Sequence, residues 1–444
     1  MEVKILETKL VVPSTPPFNS DHVLSLSNLD NDLNLHIIFR YLRVYVSAAT
    51  DKRPFDVIAA ALSSALVPYY PLAATLCSDD DRRFSLSCKE GQGVPLIHAA
   101  VDCTLDSLNY LDDPDYSFVE RLVPDPDSKE VLVNPCVLQI TAFKCGGYTL
   151  GAALHNALCD GMGATQFFNV MAEVARGGTK VPVQPVWNRV ELLGPRDPPR
   201  VEGAVKEFLS LEKGFEPYVQ GFEPVERESF DVKDDCLDQL KAVLLEKCGL
   251  NFTTFEALGA FLWRAKVRCS GIPGDENVKF AYLTNIRRLV KPPLPFGYWG
   301  NGCVPLYAQI SAKELVEQPL WKTAELIKKS KVNANDEYIR SYIDFQELHR
   351  GDGITAGKEV SGFTDWRHIG HSSVDFGWGA PVTVFPVTRQ ILGSFEPCFF
   401  LPYSAANGGK KDGFKVQVTL RKTAMPAFKE EMNKFSNREF ELLL

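Results

Sequence analysis

Histidine is scarce in this chain. Only 7 of the 444 residues are histidine, at positions 22, 36, 98, 155, 349, 368 and 371. A reaction that needs an imidazole near neutral pH has few places to find one. Long apolar runs are absent too, and no stretch approaches the ~18–20 uncharged residues of a membrane span. The opening segment Met1-Glu2-Val3-Lys4-Ile5-Leu6-Glu7 alternates charges with aliphatics and lacks the apolar core of a secretion signal. The 11 cysteines form no C-x-x-C pair and no Cys/His cluster at metal spacing. Reduced, mostly buried thiols and no structural metal are therefore expected. G-x-S-x-G and G-x-x-x-x-G-K-[ST] are both missing, so neither a serine elbow nor a P-loop is expected. Basic excess is missing as well. Lys and Arg number 48 against 56 Asp and Glu, for a net charge of -8. That balance argues against nucleic acid or an anionic membrane as partner. A soluble cytosolic protein is therefore expected.

What remains is an ordinary globular composition, 45% hydrophobic and 23% charged. The length suits two domains. Strand and helix patterns alternate. Pro54 to Leu66 carries Phe55, Ile58, Leu62 and Leu66 near helical spacing. Val131-Leu132-Val133, Leu138 to Phe143 and Tyr148 to Leu154 read as strands, the last two joined at Cys145-Gly146-Gly147. From Val181 to about Glu228 prolines interleave with charges, the mark of a crossover between domains. Leu237, Leu240, Leu244 and Cys248 share a helical face that Gly249 ends. Thr253-Thr254-Phe255-Glu256 opens a helix with a capping box. Phe428, Met432 and Phe435 mark another amphipathic helix. The expected division is 1–180, a linker at 181–228, and 229–444.

Two segments carry polar residues among glycines. In the first half, Leu154-His155-Asn156-Ala157-Leu158-Cys159-Asp160-Gly161-Met162-Gly163 lies between a strand and a helix. Such turns often face a cleft, although Asp-Gly alone also fits a tight turn. In the second half, Thr364-Asp365-Trp366-Arg367-His368-Ile369-Gly370 leads to Asp375-Phe376-Gly377-Trp378-Gly379. Alone, Asp375 fits a turn cap or a salt-bridge partner.

Together, about 215 residues apart, the two segments resemble the H-x-x-x-D-G and D-F-G-W-G motifs of the plant BAHD family of acyl-CoA-dependent acyltransferases. Tyr70-Pro71-Leu72-Ala73 is similar to the family's Y-P-L-A-G. Arg287 with Pro292-Pro293-Leu294-Pro295-Phe296-Gly297-Tyr298-Trp299-Gly300-Asn301 is similar to R-x-x-x-x-P-P-L-P-x-G-Y-x-G-N. Thr364-Asp365-Trp366-Arg367 resembles the strand found in members acting on alcohols, alkaloids and spermidine. The resemblance spans nearly the whole chain. It implies an α/β protein of two chloramphenicol-acetyltransferase-like domains, mixed sheets flanked by helices, with a channel between them. It implies acyl transfer from a CoA thioester to the hydroxyl or amine of a specialised metabolite, through a ternary complex in a monomer. Acyl-CoA is then a co-substrate, and no bound cofactor or metal is expected.

The histidine position departs from the family. Aligned on Asp160-Gly161 it holds Asn156, and His155 stands one residue earlier. In the family that histidine is the general base. An amide donates and accepts hydrogen bonds but takes no proton. Neighbouring residues of a strand face opposite ways. Three readings stay open. A bulge turns His155 into the channel as base. Asn156 occupies the channel, and the chemistry is weak, substrate-assisted or of another kind. Or Asn156 is an engineered or erroneous replacement of a histidine. A silent relative that binds a ligand, or a lyase, is the alternative to an acyltransferase.

The remaining roles follow the resemblance. Asp160, pointing away from substrate and followed by Gly161, pairs with Arg287 and orients the loop. Asp375 supports the Gly377-Trp378-Gly379 turn. Thr364 and Trp366 stand near the reacting carbonyl, where a hydroxyl or indole N–H stabilises an oxyanion. Apart from the resemblance, Arg264 and Lys266 read either as contacts to CoA phosphates or as a solvated helix face. His368 and His371 read as surface or loop histidines.

Overall fold

The computed structural model describes residues 1–46, 52–79, 83–178, 181–211 and 224–440. Of the crossover expected at 181–228, residues 212–223, with Pro217, lie outside them. Among the described residues fifteen strands form three sheets. In chain order they are β1 Val3–Val11, β2 His22–Ser25, β3 Ile38–Tyr45, β4 Thr75–Ser78, β5 Phe84–Cys88, β6 Val94–Val101, β7 Cys136–Ala142, β8 Tyr148–His155, β9 Val225–Lys233, β10 Asn277–Asn285, β11 Cys303–Ser311, β12 Val360–Asp365, β13 Thr383–Pro386, β14 Cys398–Leu401 and β15 Gly413–Arg421. The first large sheet runs β1-β6-β7-β8-β3-β13 and the second β11-β10-β12-β14-β15-β9. Both are mixed. β6 and β7 are parallel in the first, and β12 is parallel to β10 and β14 in the second. A small sheet, β2-β5-β4, completes the set.

The sequence explains the placement of β8. Its run Tyr148-Thr149-Leu150-Gly151-Ala152-Ala153-Leu154-His155 is buried at every position. A run apolar on both faces suits a central strand covered on both sides. β7 and β3 flank it, and the Gly161–Ala175 helix follows. That helix packs Phe167, Phe168, Val170 and Met171 into the core. In the other half the Thr254–Ser270 helix opens on Thr253, and the capping box with Glu256 is formed. The Asp234–Cys248 helix ends on Gly249 at φ +71, a left-handed turn that glycine adopts without steric cost.

One expectation, the strand at Val131–Val133, is corrected. Glu130–Val133 is one helical turn, not a strand. The Asp127 carboxylate accepts from the backbone N–H groups of Lys129 and Glu130, and this local capping outweighs the β-branched run. The division at 181–228 assigns 229–444 to the second half, yet β13 hydrogen-bonds to β3 in the first sheet. The stretch from β12 to β13 therefore crosses from one sheet to the other.

Gly151 sits where a side chain has no room. A Cβ there would stand 2.3 Å from the Leu122 carbonyl oxygen and 2.9 Å from Val123 Cα. Gly151→Ala is expected to cost about 1–3 kcal/mol through overpacking. A fall in the thermal unfolding midpoint is the readout, and an unchanged midpoint would refute the close approach.

Candidate active site

A cavity of about 390 Å³ opens between the two halves. Phe39 and Tyr41 of β3, Tyr282 of β10 and Phe363 and Thr364 of β12 form its walls. The loop after β8 supplies Asn156, Cys159, Asp160 and Gly161.

β8 is regular to its end. His155 pairs with Ile38, its N–H donates to the Pro135 carbonyl at 2.7 Å, and the next N–H, of Asn156, donates to the Ile37 carbonyl at 2.9 Å. With no bulge, alternation puts the two side chains on opposite faces. Asn156 lines the central cavity. His155 lines a different cavity, with His36 at 5.9 Å between ring centroids and Phe84 at 5.2 Å. The expectation that a bulge brings His155 inward is therefore corrected. Its Nδ1 accepts from the Ala157 N–H at 3.2 Å. Burial, then His36, pushes its pKa down to about 3.

Asn156 is held by a second amide. Its Nδ2 donates to Asn301 Oδ1 at 3.2 Å, and Asn301 Nδ2 donates to the Asn156 carbonyl at 2.7 Å. Asn301 is 0% exposed and also donates to Asp30 Oδ1 through its backbone N–H and its amide, at 2.8 and 3.0 Å. Nδ2 being committed, Asn156 Oδ1 is left without a partner among the described residues. Asn301 stands in the G-Y-x-G-N stretch, but nothing in the sequence places it opposite position 156.

Asp160 caps the Gly161–Ala175 helix by accepting from the Gly163 N–H at 2.9 Å. It receives a bidentate guanidinium, Arg287 Nη1 to Oδ2 at 2.7 Å and Nη2 to Oδ1 at 3.0 Å, and the Gly302 N–H at 2.9 Å. Burial alone would raise its pKa. The Arg287 charge and these hydrogen bonds win, and the carboxyl sits below its ordinary range. Arg287 is raised in turn, burial being outweighed by the Asp160 charge. Gly302 makes the approach possible, since a Cβ there would stand 2.5 Å from Arg287 Nη1. Asp160 and Arg287 both border the cavity. The crossover reinforces the loop, for Arg189 donates to the Ala157 and Leu158 carbonyls at 3.3 and 2.8 Å.

Thr364 and Trp366 also face the cavity. Neither the Thr364 hydroxyl nor the Trp366 N–H has a partner among the described residues. Trp366 stacks on Phe39 at 5.6 Å. Cys159 lines the cavity too, but burial pushes its thiol well above the ordinary range, so it is no thiolate nucleophile.

Asp375 does not line the cavity. Its Oδ1 accepts from the N–H groups of Gly377 and Gly379 at 2.7 and 2.9 Å. Trp378 packs edge-on to Tyr148 at 5.6 Å, and the Tyr45 hydroxyl donates to the Val374 carbonyl at 2.9 Å. Tyr45 and Tyr148 pair at the end of β3 and β8 remote from His155, about seven residues and ~23 Å along the strand.

Arg264 and Lys266 fit neither expected role. Both are buried in the Thr254–Ser270 helix, whose residues from Glu256 to Val267 are enclosed. Arg264 donates to the Gln318 carbonyl and Lys266 to the Glu396 carbonyl. Their stems run through the core and their heads satisfy backbone oxygens, so neither meets a phosphate. His368 is exposed, but His371 is not a surface histidine: it is 3% exposed and lines the cavity.

Two mixed sheets flanked by helices thus share one cavity, lined from both halves. The profile of the Transferase family matches residues 1–435. Spermidine coumaroyl-CoA acyltransferase of Arabidopsis thaliana is 32% identical over 96% of this chain and 95% of the relative. Taxadien-5-alpha-ol O-acetyltransferase of Taxus cuspidata is 33% identical over 97% and 96%. The crystal structure of vinorine synthase has a TM-score of 0.74 at 20% identity, covering 98% of each chain. That of F. graminearum TRI101 complexed with coenzyme A and deoxynivalenol has a TM-score of 0.75 at 15% identity, covering 93% of this chain and 98% of its own. The chain belongs to the plant BAHD family of acyl-CoA-dependent acyltransferases.

Removing Arg287 strands a buried carboxylate. Arg287→Ala is expected to cost roughly 3–5 kcal/mol in denaturant unfolding. A loss under about 1 kcal/mol would mean the pair is not buried as described. The Asp160 pKa is depressed on folding, so the pair's stability is present above the unfolded carboxylate value and lost as pH falls through the folded one. Asp160→Asn is expected to flatten that acid limb of the stability curve.

Proposed function

We propose that this acyltransferase moves an acyl group from a CoA thioester to a small-molecule acceptor that supplies its own nucleophilic lone pair, an amine above all. The observation that carries the reading is Asn156, an amide held by Asn301 in the shared cavity where the family pattern has an imidazole. A hydroxyl must lose its proton as it attacks and gains most from a general base. A neutral amine attacks as it stands. Asn156 Oδ1 accepts a hydrogen bond from the attacking N–H and orients the lone pair toward the carbonyl carbon. The C–N bond forms and the carbonyl pair moves to oxygen. When the carbonyl re-forms, the C–S bond breaks and the ammonium proton ends on the CoA thiolate. Thr364 and Trp366 present hydroxyl and indole N–H donors to the oxyanion. Asp160 and Arg287 hold the loop, and Asp375 holds the Gly377-Trp378-Gly379 turn.

N-acylation has support in the relatives, among them spermidine coumaroyl-CoA acyltransferase and 3'-N-debenzoyl-2'-deoxytaxol N-benzoyltransferase of Taxus canadensis. An amine acceptor also keeps an alkaloid within reach. The free state of all eleven cysteines suits a reducing cytoplasm, and the proposed working unit is a monomer. Among the described residues no helix is long and apolar enough to cross a membrane. The proposed units remain 1–180 and 229–444 joined at 181–228, with β13 lent to the first.

The test is thiol release from acyl-CoAs with panels of amines and alcohols. Turnover is expected with amines in preference to alcohols of similar shape. Asn156→His is expected to raise alcohol transfer by ~10²-fold or more, with little gain for amines. His155→Ala is expected to leave turnover unchanged in protein that still folds. A wild-type enzyme that prefers alcohols, or loses activity with His155→Ala, would overturn the reading.

A further inference from the structure

His371 gives the cavity an imidazole that the motif pattern does not announce. It opens a single 3-10 turn, His371–Ser373, just after Gly370 at φ +86, and this turn carries the ring inward from the end of β12. The ring lies 4.5 Å from Trp366 and stacks on Tyr41 at 5.4 Å, centroid to centroid.

Its two nitrogens have different surroundings. Nδ1 faces Arg43 Nη2 at 3.3 Å and the Thr165 hydroxyl at 2.8 Å. Arg43 is 0% exposed, donates from Nε to the His371 carbonyl at 3.1 Å, and lies over the Phe168 ring at 4.4 Å. No carboxylate pairs with it among the described residues. A guanidinium only donates and does not deprotonate, so Nδ1 is the acceptor. The Thr165 hydroxyl donates to the Gly161 carbonyl at 2.9 Å, so the guanidinium, which can only donate, is the group that fixes the role of Nδ1. The ring proton therefore belongs to Nε2. That atom is directed at the loop after Asn156, for a Cβ on Gly161 would stand 3.8 Å from it. Nε2 has no partner among the described residues.

We propose that His371 is a catalytic hydrogen-bond donor, presenting a neutral Nε2–H to the thioester carbonyl oxygen as it becomes an oxyanion, while Arg43 fixes the tautomer. Burial and the Arg43 charge hold protonation of the ring well below the ordinary histidine range, which agrees with a neutral donor. The arrangement also excludes His371 as the base that Asn156 fails to supply, because the nitrogen facing the cavity already carries a proton. A neutral imidazole adds no fixed charge to the cavity, yet its N–H gains strength as charge builds on the oxygen. This role rests on the acyl-transfer reading; the tautomer does not.

Two measurements separate them. The first is nitrogen-15 NMR of histidine-labelled protein, with His371→Phe assigning the signal. A neutral Nε2–H tautomer across the neutral pH range is expected, and Arg43→Met is expected to disturb it. A neutral Nδ1–H tautomer or a charged ring would overturn the proposal. The second is steady-state kinetics with the acyl-CoA and amine that the wild type uses best. His371→Phe keeps an aromatic ring and is expected to lower kcat by about 10²-fold with little change in KM. His371→Gln, which retains an N–H at similar reach, is expected to recover part of the loss. A kcat for His371→Phe equal to wild type, or a loss that Gln does not relieve at all, would overturn the donor role. If wild type turns over no thioester, acyl transfer fails, and the catalytic role with it, while the NMR result still decides the tautomer.

Discussion

The bidentate contact between Arg287 and Asp160 is the constraint on which the site depends. Arg287 follows β10 of the second sheet, and Asp160 follows β8 of the first. One carboxylate thereby ties the two halves together, caps a helix and accepts from Gly302. A buried pair of this kind contributes little net stability relative to apolar packing, but breaking it is costly. What it supplies is position. The loop 156–160 is held at one end by the strand ladder and at the other by this pair. Arg189 grips its middle carbonyls and Asn301 its first side chain.

A second tie runs through 360–386. β12 belongs to the second sheet and β13 to the first. Thr364 at the end of β12 faces the cavity, and between the strands lie Trp366 and His371 on the cavity and the Asp375 turn on the far end of β3 and β8. The D-F-G-W-G segment thus anchors the connection about a strand's length from the chemistry. This accounts for a motif dense in glycine and aromatic residues, built for close packing and tight turning.

Much of this was legible in the sequence. The capping box at Thr253 and Glu256, the stop at Gly249 and the apolar run of β8 each have local causes, and each appears where it was read. The two motifs indicated an α/β acyltransferase with two sheets and a shared cavity. Other features were not legible, because their causes lie far away in the chain. Val131–Val133 reads as a strand until the Asp127 cap is counted. Arg264 and Lys266 read as surface or phosphate contacts because charge is normally solvated, yet backbone carbonyls from distant segments, at Gln318 and Glu396, receive them. His371 reads as a loop histidine because Arg43 and Thr165, which bury and polarise it, are about 200 residues or more away.

The division between the two sources of information is sharpest at positions 155 and 156. Residue order alone makes an imidazole and an amide neighbours on a strand, and strand geometry sends them to opposite faces. Residue order also sets the family and the chemistry that its motifs imply. Which face meets the cavity was decided only by tertiary structure. The register of β8 against β3, continued unbroken to Asn156, sends His155 to His36 and Phe84 and leaves the amide in the cavity. The reason is physical: a period of two is local, but the choice between its two phases belongs to the neighbours across the sheet.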